Sequence, residues 1–298
     1  MALVESVDTS RDLLHDQIVL PDEIVERIAR LSGWETWLST WSKVSSKYRP
    51  LSWLRESHPD AQQTITVVPV DVPTINAGIS SAKKVASSSV LPRLVLIMPG
   101  VYHESVRVTD DLTLIGLGSR GAVRVHSQGW EPALVLGGFS VGKAKLHGDA
   151  QLDAASAGGR AVIRGLTLSM RNQQQAVAVY CTGGQPLVAD CDVLGTVRVS
   201  GCAAAPTFVR CRISRSRSNG VRICDHAQGQ VRRSELLCNQ LAAIRLSPCA
   251  RPNLSENRFD GNGIDGVHID EPADGTALDS DDEELVLGAN AFHESDNT

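Results

Sequence analysis

The feature of this sequence that most constrains its fold is a repeat of 20 to 24 residues in its second half. Three columns recur in phase: an apolar triplet, a proline or glycine, and a small or polar residue. The triplets begin at Val177, Val197, Val221, Ile244 and Val267, so successive copies are separated by 20, 24, 23 and 23 residues. A fixed period of this length indicates a solenoid, in which each repeat packs mainly against its neighbours.

The pattern inside each repeat favours short strands. Apolar and β-branched residues alternate with polar ones, and glycine, proline, asparagine and serine interrupt them every few residues. Leucine-rich repeats have a similar length, but the leucine ladder that they require is missing. The repeats therefore predict a mostly β chain that forms a right-handed parallel β-helix, one coil per repeat. The small or polar column should stack at a bend with a spacing of about 4.8 Å: Cys191, Cys211, Ser234 and Asn257.

Composition limits the class of protein to which this chain can belong and the cellular compartment in which we expect it. The chain has 298 residues, 42% hydrophobic residues and a net charge of -5, which suits a folded protein with a sizeable core. No stretch reaches the roughly 18 apolar residues of a membrane span, and residues 1–16 lack the apolar segment of a secretory signal. We therefore expect a cytoplasmic or nuclear protein with no membrane partner.

The cysteines do not indicate a metal site. All seven lie between Cys181 and Cys249, and no two have the C-x-x-C spacing of zinc ligands. The eight histidines are scattered and form no ligand pair. We therefore predict reduced, mostly buried thiols and no metal or cofactor.

The N-terminal part of the chain has the pattern of a small helical unit. Residues 1–19 are expected to be a mobile lead-in of mixed charge. A proline and two acids then suit the start of a helix at Leu20-Pro21-Asp22-Glu23-Ile24. Apolar residues follow at helical spacing in two groups: Ile24, Ile28 and Leu31, then Trp37, Trp41, Val44 and Tyr48.

This unit, residues 20–58, resembles the F-box, a motif that docks a Skp-type adaptor of cullin ubiquitin ligases. The resemblance implies that a set of mostly apolar residues binds the adaptor: Leu20, Pro21, Ile24, Ile28, Leu31, Leu38 and Val44. Leu51-Ser52-Trp53 extends the match. The alternative is a helical cap on the open end of the solenoid, which any solenoid needs.

The middle of the chain resembles the entrance coils of pectin-lyase-like β-helices. The matching residues are Leu94 to Met98, Pro99-Gly100-Val101-Tyr102 and Leu112-Thr113-Leu114-Ile115-Gly116. We therefore expect a linker and cap over residues 59–93 and β-helix repeats over 94–298. An acidic, solvated loop is expected at 270–284.

A catalytic site is not evident in the sequence. Gln175-Ala176-Val177-Ala178 matches a short motif of pectin methylesterases, but the catalytic aspartates of that family have no counterparts near Gly195-Thr196-Val197. Acid and base chemistry on a sugar ester needs two close carboxylates, and Arg198 and Ser200 stand there instead. The sequence thus predicts no enzyme, at most a non-catalytic ligase subunit, with a carbohydrate-active enzyme as an alternative.

The central residues of the triplets form a basic column, which we call the basic row: Arg198, Arg222, Arg245 and His268. Like charges stacked one coil apart repel, whereas guanidinium groups bind carboxylates and phosphates in a bidentate manner. We therefore predict that the basic row binds an acidic or phosphorylated target. Nucleic acid is disfavoured because the chain is acidic and the repeats have few aromatic residues.

Together these patterns predict the substrate-recognition subunit of a Skp/cullin/F-box ubiquitin ligase. In that hypothesis the F-box-like segment binds the adaptor and the β-helix binds the target protein. Two alternatives remain, a non-enzymatic β-helix scaffold with a helical cap and a carbohydrate-active enzyme, because a fold alone does not specify a function.

Overall fold

The computed structural model describes residues 65–84, 93–138, 159–171, 177–271 and 290–293. The expected lead-in, the F-box-like segment and all but the first two residues of the acidic loop lie outside these ranges. Within them the chain forms 23 strands and one α-helix. The strands make three sheets, and the paired strands are parallel. The predicted mostly β fold, a parallel β-helix, is thereby confirmed.

Each coil adds a strand to each sheet in turn. Sheet 1 consists of β1 (Ile65–Val68), β2 (Leu94–Ile97), β5 (Thr113–Gly116), β8 (Val162–Arg164), β11 (Leu187–Ala189), β14 (Thr207–Val209), β17 (Gln230–Arg232) and β20 (Asn253–Ser255). Sheet 2 consists of β4 (Val106–Val108), β7 (Leu134–Leu136), β10 (Val177–Cys181), β13 (Thr196–Ser200), β16 (Val221–Cys224), β19 (Ile244–Leu246) and β22 (Val267–Ile269). Sheet 3 consists of β3 (Gly100–Tyr102), β6 (Val123–Ser127), β9 (Leu166–Met170), β12 (Asp192–Leu194), β15 (Arg212–Ser214), β18 (Glu235–Leu237), β21 (Arg258–Asp260) and β23 (Ala291–His293).

The core lies inside the coils, where alternate residues of each strand point. The six apolar residues predicted to point inward are at most 2% exposed: Val197, Val199, Val221, Ile223, Ile244 and Leu246. Burying one such side chain contributes about 1.5–3 kcal/mol before the loss of chain entropy is counted. The strand period of two therefore fixes which residues remain on the outer faces.

The single helix of the described residues, α1 (Ile75–Lys83), follows the first strand of sheet 1. The Thr74 side chain caps its N-terminus, and Ile75, Ile79 and Ala82 are buried in the core cluster that also contains Val68. The helix thus closes the interior of the first coil, and the sheets begin at β1, within the range expected to be a linker and cap. No helix in the described ranges is long and apolar enough to cross a membrane.

The first repeat has a register different from the one that the triplets indicate. A bulge between Val177 and Val179 shifts β10 against β13, so Val179 pairs with Val197 and Tyr180 with Arg198. A bulge inserts an unpaired residue that sequence alignment alone does not reveal. The outward position beside Arg198 is therefore Tyr180, whereas Ala178 is fully buried.

The small or polar column stacks at a bend, as predicted. The residue before each member has a left-handed backbone with φ between 51° and 56°: Asp190, Arg210, Arg233 and Glu256. At this bend the Cys211 amide donates to Ser234 Oγ at 3.2 Å, and the Ser234 amide donates to Asn257 Oδ1 at 3.1 Å. The Asn257 amide continues the series to Asn290 Oδ1 at 3.1 Å. Side chains of one coil thus satisfy backbone groups of the preceding coil.

The thiols follow the prediction only in part. Four of them are buried, namely Cys181, Cys191, Cys211 and Cys224, and three are exposed. Burial raises the pKa of Cys181 to about 12 and the pKa of Cys211 to about 11. These buried thiols stay protonated at neutral pH and act as small apolar groups, because only the thiolate is a strong nucleophile.

The bend ladder predicts a strong dependence of stability on Asn257. Asn257→Ala should lower the free energy of unfolding by about 1–3 kcal/mol, because it leaves the buried Ser234 amide without its side-chain acceptor and removes the Asn257 amide donor to the Val231 carbonyl. Urea unfolding followed by circular dichroism measures the change. Asn253→Ala, at an exposed position of β20, is the matched control and should change stability by about 0.5 kcal/mol or less. Equal effects would contradict the role of the ladder.

Candidate functional site

The structure places the basic row on adjacent strands of sheet 2. Register pairs Arg198 with Arg222, Arg222 with Arg245, and Arg245 with His268. Their strand neighbours point into the core, so the row lies on the outer face, one residue per coil at a spacing of about 4.8 Å. The bulge described above adds Tyr180 to the end of the row next to Arg198.

The basic row is not the uniform positive surface that the sequence indicates. Arg245 Nε donates to Asp270 Oδ1 at 2.7 Å, and His268 Nε2 lies 3.7 Å from the same oxygen. Asp265 Oδ2 lies 3.4 Å from His268 Nδ1. Asp270, which was expected to begin a solvated loop, directly follows β22, so the coil brings it beside Arg245. Acids outside the column, Asp265 and Asp270, therefore offset part of the repulsion between the basic side chains.

Arg198 is held against an aromatic ring. Its guanidinium carbon lies 5.6 Å from the centre of the Tyr180 ring. Such a contact contributes about 0.5–1 kcal/mol at a partly exposed site. Arg198 Nε is buried and has no hydrogen-bond partner among the described residues. The ring and the guanidinium therefore form one flat, half-buried surface on sheet 2.

Asp225, which directly follows β16, supplies a carboxylate near the first two arginines. Ser200 Oγ donates a hydrogen bond to Asp225 Oδ2. This hydrogen bond lowers the pKa of Asp225, as do a hydrogen bond from Cys224 and the charges of Arg198 and Arg222, so the carboxylate is ionised at neutral pH. Asp225 and His226 both have left-handed backbones, with φ of 57° and 58°. Two such residues in succession cost about 1–3 kcal/mol each, a strain that is often found at functional sites.

Arg222 differs from the other arginines of the row. It is exposed and forms no ion pair within the part of the chain that the structure describes. The face of sheet 2 therefore combines cationic donors with anionic acceptors such as Asp225 and Asp270. It can bind a ligand that carries both acidic groups and hydroxyl groups. An ionised carboxylate at Asp225 could also serve as a base or nucleophile toward a bound group.

Sequence reasoning missed three residues of this face: Tyr180, Asp225 and Asp270. Asp225 lies two residues after the triplet of its repeat, and Asp270 lies one residue after its triplet. Acidic residues at these positions were therefore visible in the sequence as candidates for the site. Tyr180 could not be found in this way, because its place depends on the bulge. Within the described ranges, no three His, Cys, Asp or Glu side chains come together to hold a metal ion.

Opposite charges pair on the faces that flank the bend. Arg210 pairs with Asp190 at 2.8 Å and Arg212 with Glu235 at 2.9 Å, in each case across adjacent coils. These faces pair most of their charges across coils, whereas the basic row repeats charges of one sign over four coils. The predicted adaptor-binding residues between Leu20 and Val44 lie outside the described residues, as do Gln175 and Ala176 of the esterase-like motif.

The three sheets of parallel strands define the structural class of the chain, a parallel β-helix. No family model and no curated protein matches the sequence. Pectin methylesterase PemA from Erwinia chrysanthemi has a similar structure, with a TM-score of 0.45 and 16% identity over 66% of this chain and 66% of that chain. A pectin methylesterase from carrot matches with a TM-score of 0.42 and 11% identity, covering 78% of this chain and 88% of that chain.

These comparisons correct one prediction. The sequence predicted that the chain is not an enzyme, whereas four matching structures are pectin methylesterases. That prediction is therefore wrong. At identities of 11% to 17% the likeness concerns the fold, and activity is a separate question.

The charges on the outer face of sheet 2 predict that Arg245 stabilises the fold and that Arg222 does not. Arg245→Gln should lower the free energy of unfolding by about 0.5–1 kcal/mol, because it removes the partner of the half-buried Asp270. Arg222→Gln should leave stability unchanged within about 0.5 kcal/mol or raise it slightly, because it removes a repulsion. Chemical denaturation of both variants measures the difference. Equal losses would show that Arg222 has a stabilising partner of its own.

Proposed function

We propose that the outer face of sheet 2 binds an acidic polysaccharide, whose carboxylates pair with the basic row. The observation that carries this proposal is the registered series of Tyr180 and the basic row on consecutive strands. Guanidinium groups recognise carboxylates through paired hydrogen bonds. A ligand that runs along the solenoid axis meets one such group on each coil.

The carboxylates of the face favour a saccharide over a purely anionic ligand. Asp225 and Asp270 lie beside the basic row and would repel a chain that offers only negative charge. Sugar hydroxyls, in contrast, donate hydrogen bonds to carboxylates. The ring of Tyr180 adds an apolar surface against which a sugar ring can pack. The mixture of donors, acceptors and one aromatic ring thus fits an acidic sugar polymer.

The spacing of the coils also argues against an extended peptide. Residues on one side of an extended peptide repeat about every 6.6–6.8 Å, whereas the coils repeat about every 4.7–4.9 Å. The two spacings therefore go out of step within three coils. A peptide that lies along the axis could engage one or two arginines well, but not the whole row.

The binding proposal predicts that the intact protein binds polygalacturonate but not neutral dextran. Arg198→Gln with Arg222→Gln should weaken the affinity about tenfold or more, since each hydrogen bond to a charged group contributes about 1.5–3 kcal/mol. Arg212→Gln with Arg258→Gln removes the same charge from sheet 3 and is the matched control. Calorimetry at low and at moderate salt measures the affinities, and the double variant should show the weaker salt dependence.

Two results would contradict the binding proposal. Binding of dextran as strong as that of polygalacturonate would show that the acidic groups are not recognised. Equal losses in the two double variants would show that the basic row has no special role. If the protein also acts on the bound polymer as an enzyme, Asp225→Asn should abolish turnover and leave the affinity for the polymer unchanged. This result would distinguish catalysis at this face from binding alone.

A second candidate function rests on the F-box-like sequence of residues 20–58. In this candidate the chain is the receptor subunit of a cullin ubiquitin ligase, and the basic row binds an acidic segment of the target protein. The intact protein should then capture a Skp-type adaptor, and Ile24→Asp should abolish capture by placing a charge on the apolar contact face. Ser80→Asp, on the exposed side of α1, is the control. Failure of the wild-type protein to capture the adaptor would exclude this candidate.

A further inference from the structure

Two histidines lie side by side on the outer face of sheet 3. His126 is in β6 and His103 directly follows β3, whose last residue, Tyr102, pairs with Val125. Val125 belongs to the interior core, so the strand period directs His126 outward. The centres of the two imidazole rings are 5.8 Å apart, and the ring planes are inclined by 80°. Parallel register thus brings together two of the eight histidines that are scattered in the sequence.

A serine of the next coil fixes one nitrogen of His126. The pairing of β6 with β9 places Ser169 beside His126, and His126 Nδ1 lies 2.9 Å from Ser169 Oγ. Ser169 Oγ can accept a hydrogen bond from Nδ1–H, which leaves Nε2 of His126 without a proton and with a free lone pair. Histidines that bind metals usually have their other ring nitrogen held in this way, because the hydrogen bond fixes the tautomer and the orientation of the ring.

The separation of the two rings suits one tetrahedral ion. A Zn²⁺–N bond of about 2.0–2.1 Å places the ring centre roughly 3.2 Å from the ion. Two rings on one ion are then about 5.2 Å apart at the tetrahedral angle and about 4.5 Å apart at the right angle of a square-planar ion. The observed 5.8 Å is closer to the tetrahedral value. His103 is exposed, so its ring has room to move by the remaining distance of about 0.6 Å.

The surroundings of the pair leave the other positions of such an ion open. Glu104, the residue after His103, is already engaged: its carboxylate accepts hydrogen bonds from the Ile75 and Asn76 amides at 2.8 and 3.0 Å. In the described part of the chain no group of three His, Cys, Asp or Glu side chains comes together. An ion at the pair would therefore have two protein ligands, and water or a ligand from solution would complete its shell.

We propose that His103 and His126 bind one Zn²⁺ ion, with Ser169 as the positioning residue of His126. Imidazole is a preferred ligand of Zn²⁺, whereas Ca²⁺ and Mg²⁺ prefer carboxylate and carbonyl oxygens. The open positions distinguish this site from closed structural zinc sites with four protein ligands. The pair lies on sheet 3 and the basic row on sheet 2, so the zinc site and the saccharide site can each fail without the other.

Calorimetric titration of the full-length protein with Zn²⁺ tests the site. The three exposed thiols are first alkylated with iodoacetamide, because thiolates also bind Zn²⁺. We expect one bound Zn²⁺ and no comparable binding of Ca²⁺. His103→Ala should weaken the affinity about tenfold or more, since it removes one of the two protein ligands. His226→Ala, at another exposed histidine, is the matched control and should leave the affinity unchanged.

The role of Ser169 has its own test in the same titration. Ser169→Ala should weaken Zn²⁺ binding by about tenfold, the usual cost of losing a hydrogen bond to a metal ligand. Ser169→Thr keeps the hydroxyl group and should restore the affinity. Equal affinities of Ser169→Ala and the wild-type protein would show that the serine does not position His126.

Two results would overturn the zinc site itself. One is the absence of Zn²⁺ binding by the wild-type protein. The other is equal affinity of the wild-type protein and His103→Ala, which would indicate an adventitious ion only. Circular dichroism checks that each variant keeps the β-helix. Because His103 is exposed and follows β3, its replacement leaves the core in place.

Discussion

The hydrogen bonding of each coil to the next is the interaction on which the rest of this structure depends. Parallel pairing fixes the register of every strand, and register decides which side chains stack and which face outward. Residues that are 20 or more positions apart, such as Arg198 and Arg222, become neighbours only through this pairing. The core and the outer faces are thus two results of one backbone pattern.

The bends between strands show how a solenoid satisfies its buried polar groups. A left-handed residue turns the chain, and the following small or polar side chain lies in the interior, where its polar atoms need partners. The next coil supplies them, as Asn257 does for Ser234. The same logic leaves the ends of the solenoid open. At the first coil α1 closes the interior.

The outer faces differ in how their charges are arranged. On the flanking faces opposite charges mostly alternate from coil to coil, and neighbours pair, as Arg212 and Glu235 do. On sheet 2 positive charges repeat from coil to coil. The carboxylates that partly neutralise them follow the ends of strands, as Asp270 does beside Arg245. A surface of this kind offers both donors and acceptors along one axis, which is the chemistry that the proposed saccharide ligand requires.

The sequence by itself determined the solenoid, because the period of the repeats and the alternation of apolar residues directly express coil length and strand geometry. It also determined the inward residues, such as Val197 and Ile223, and the alignment of Arg198, Arg222 and Arg245. Only the tertiary structure decided the register of the first repeat. A bulge in β10 places Tyr180 beside Arg198, whereas alignment of the triplets places Ala178 there. Only the structure, too, brought Asp225 and Asp270 to the basic row, because their positions depend on how the chain turns after each strand.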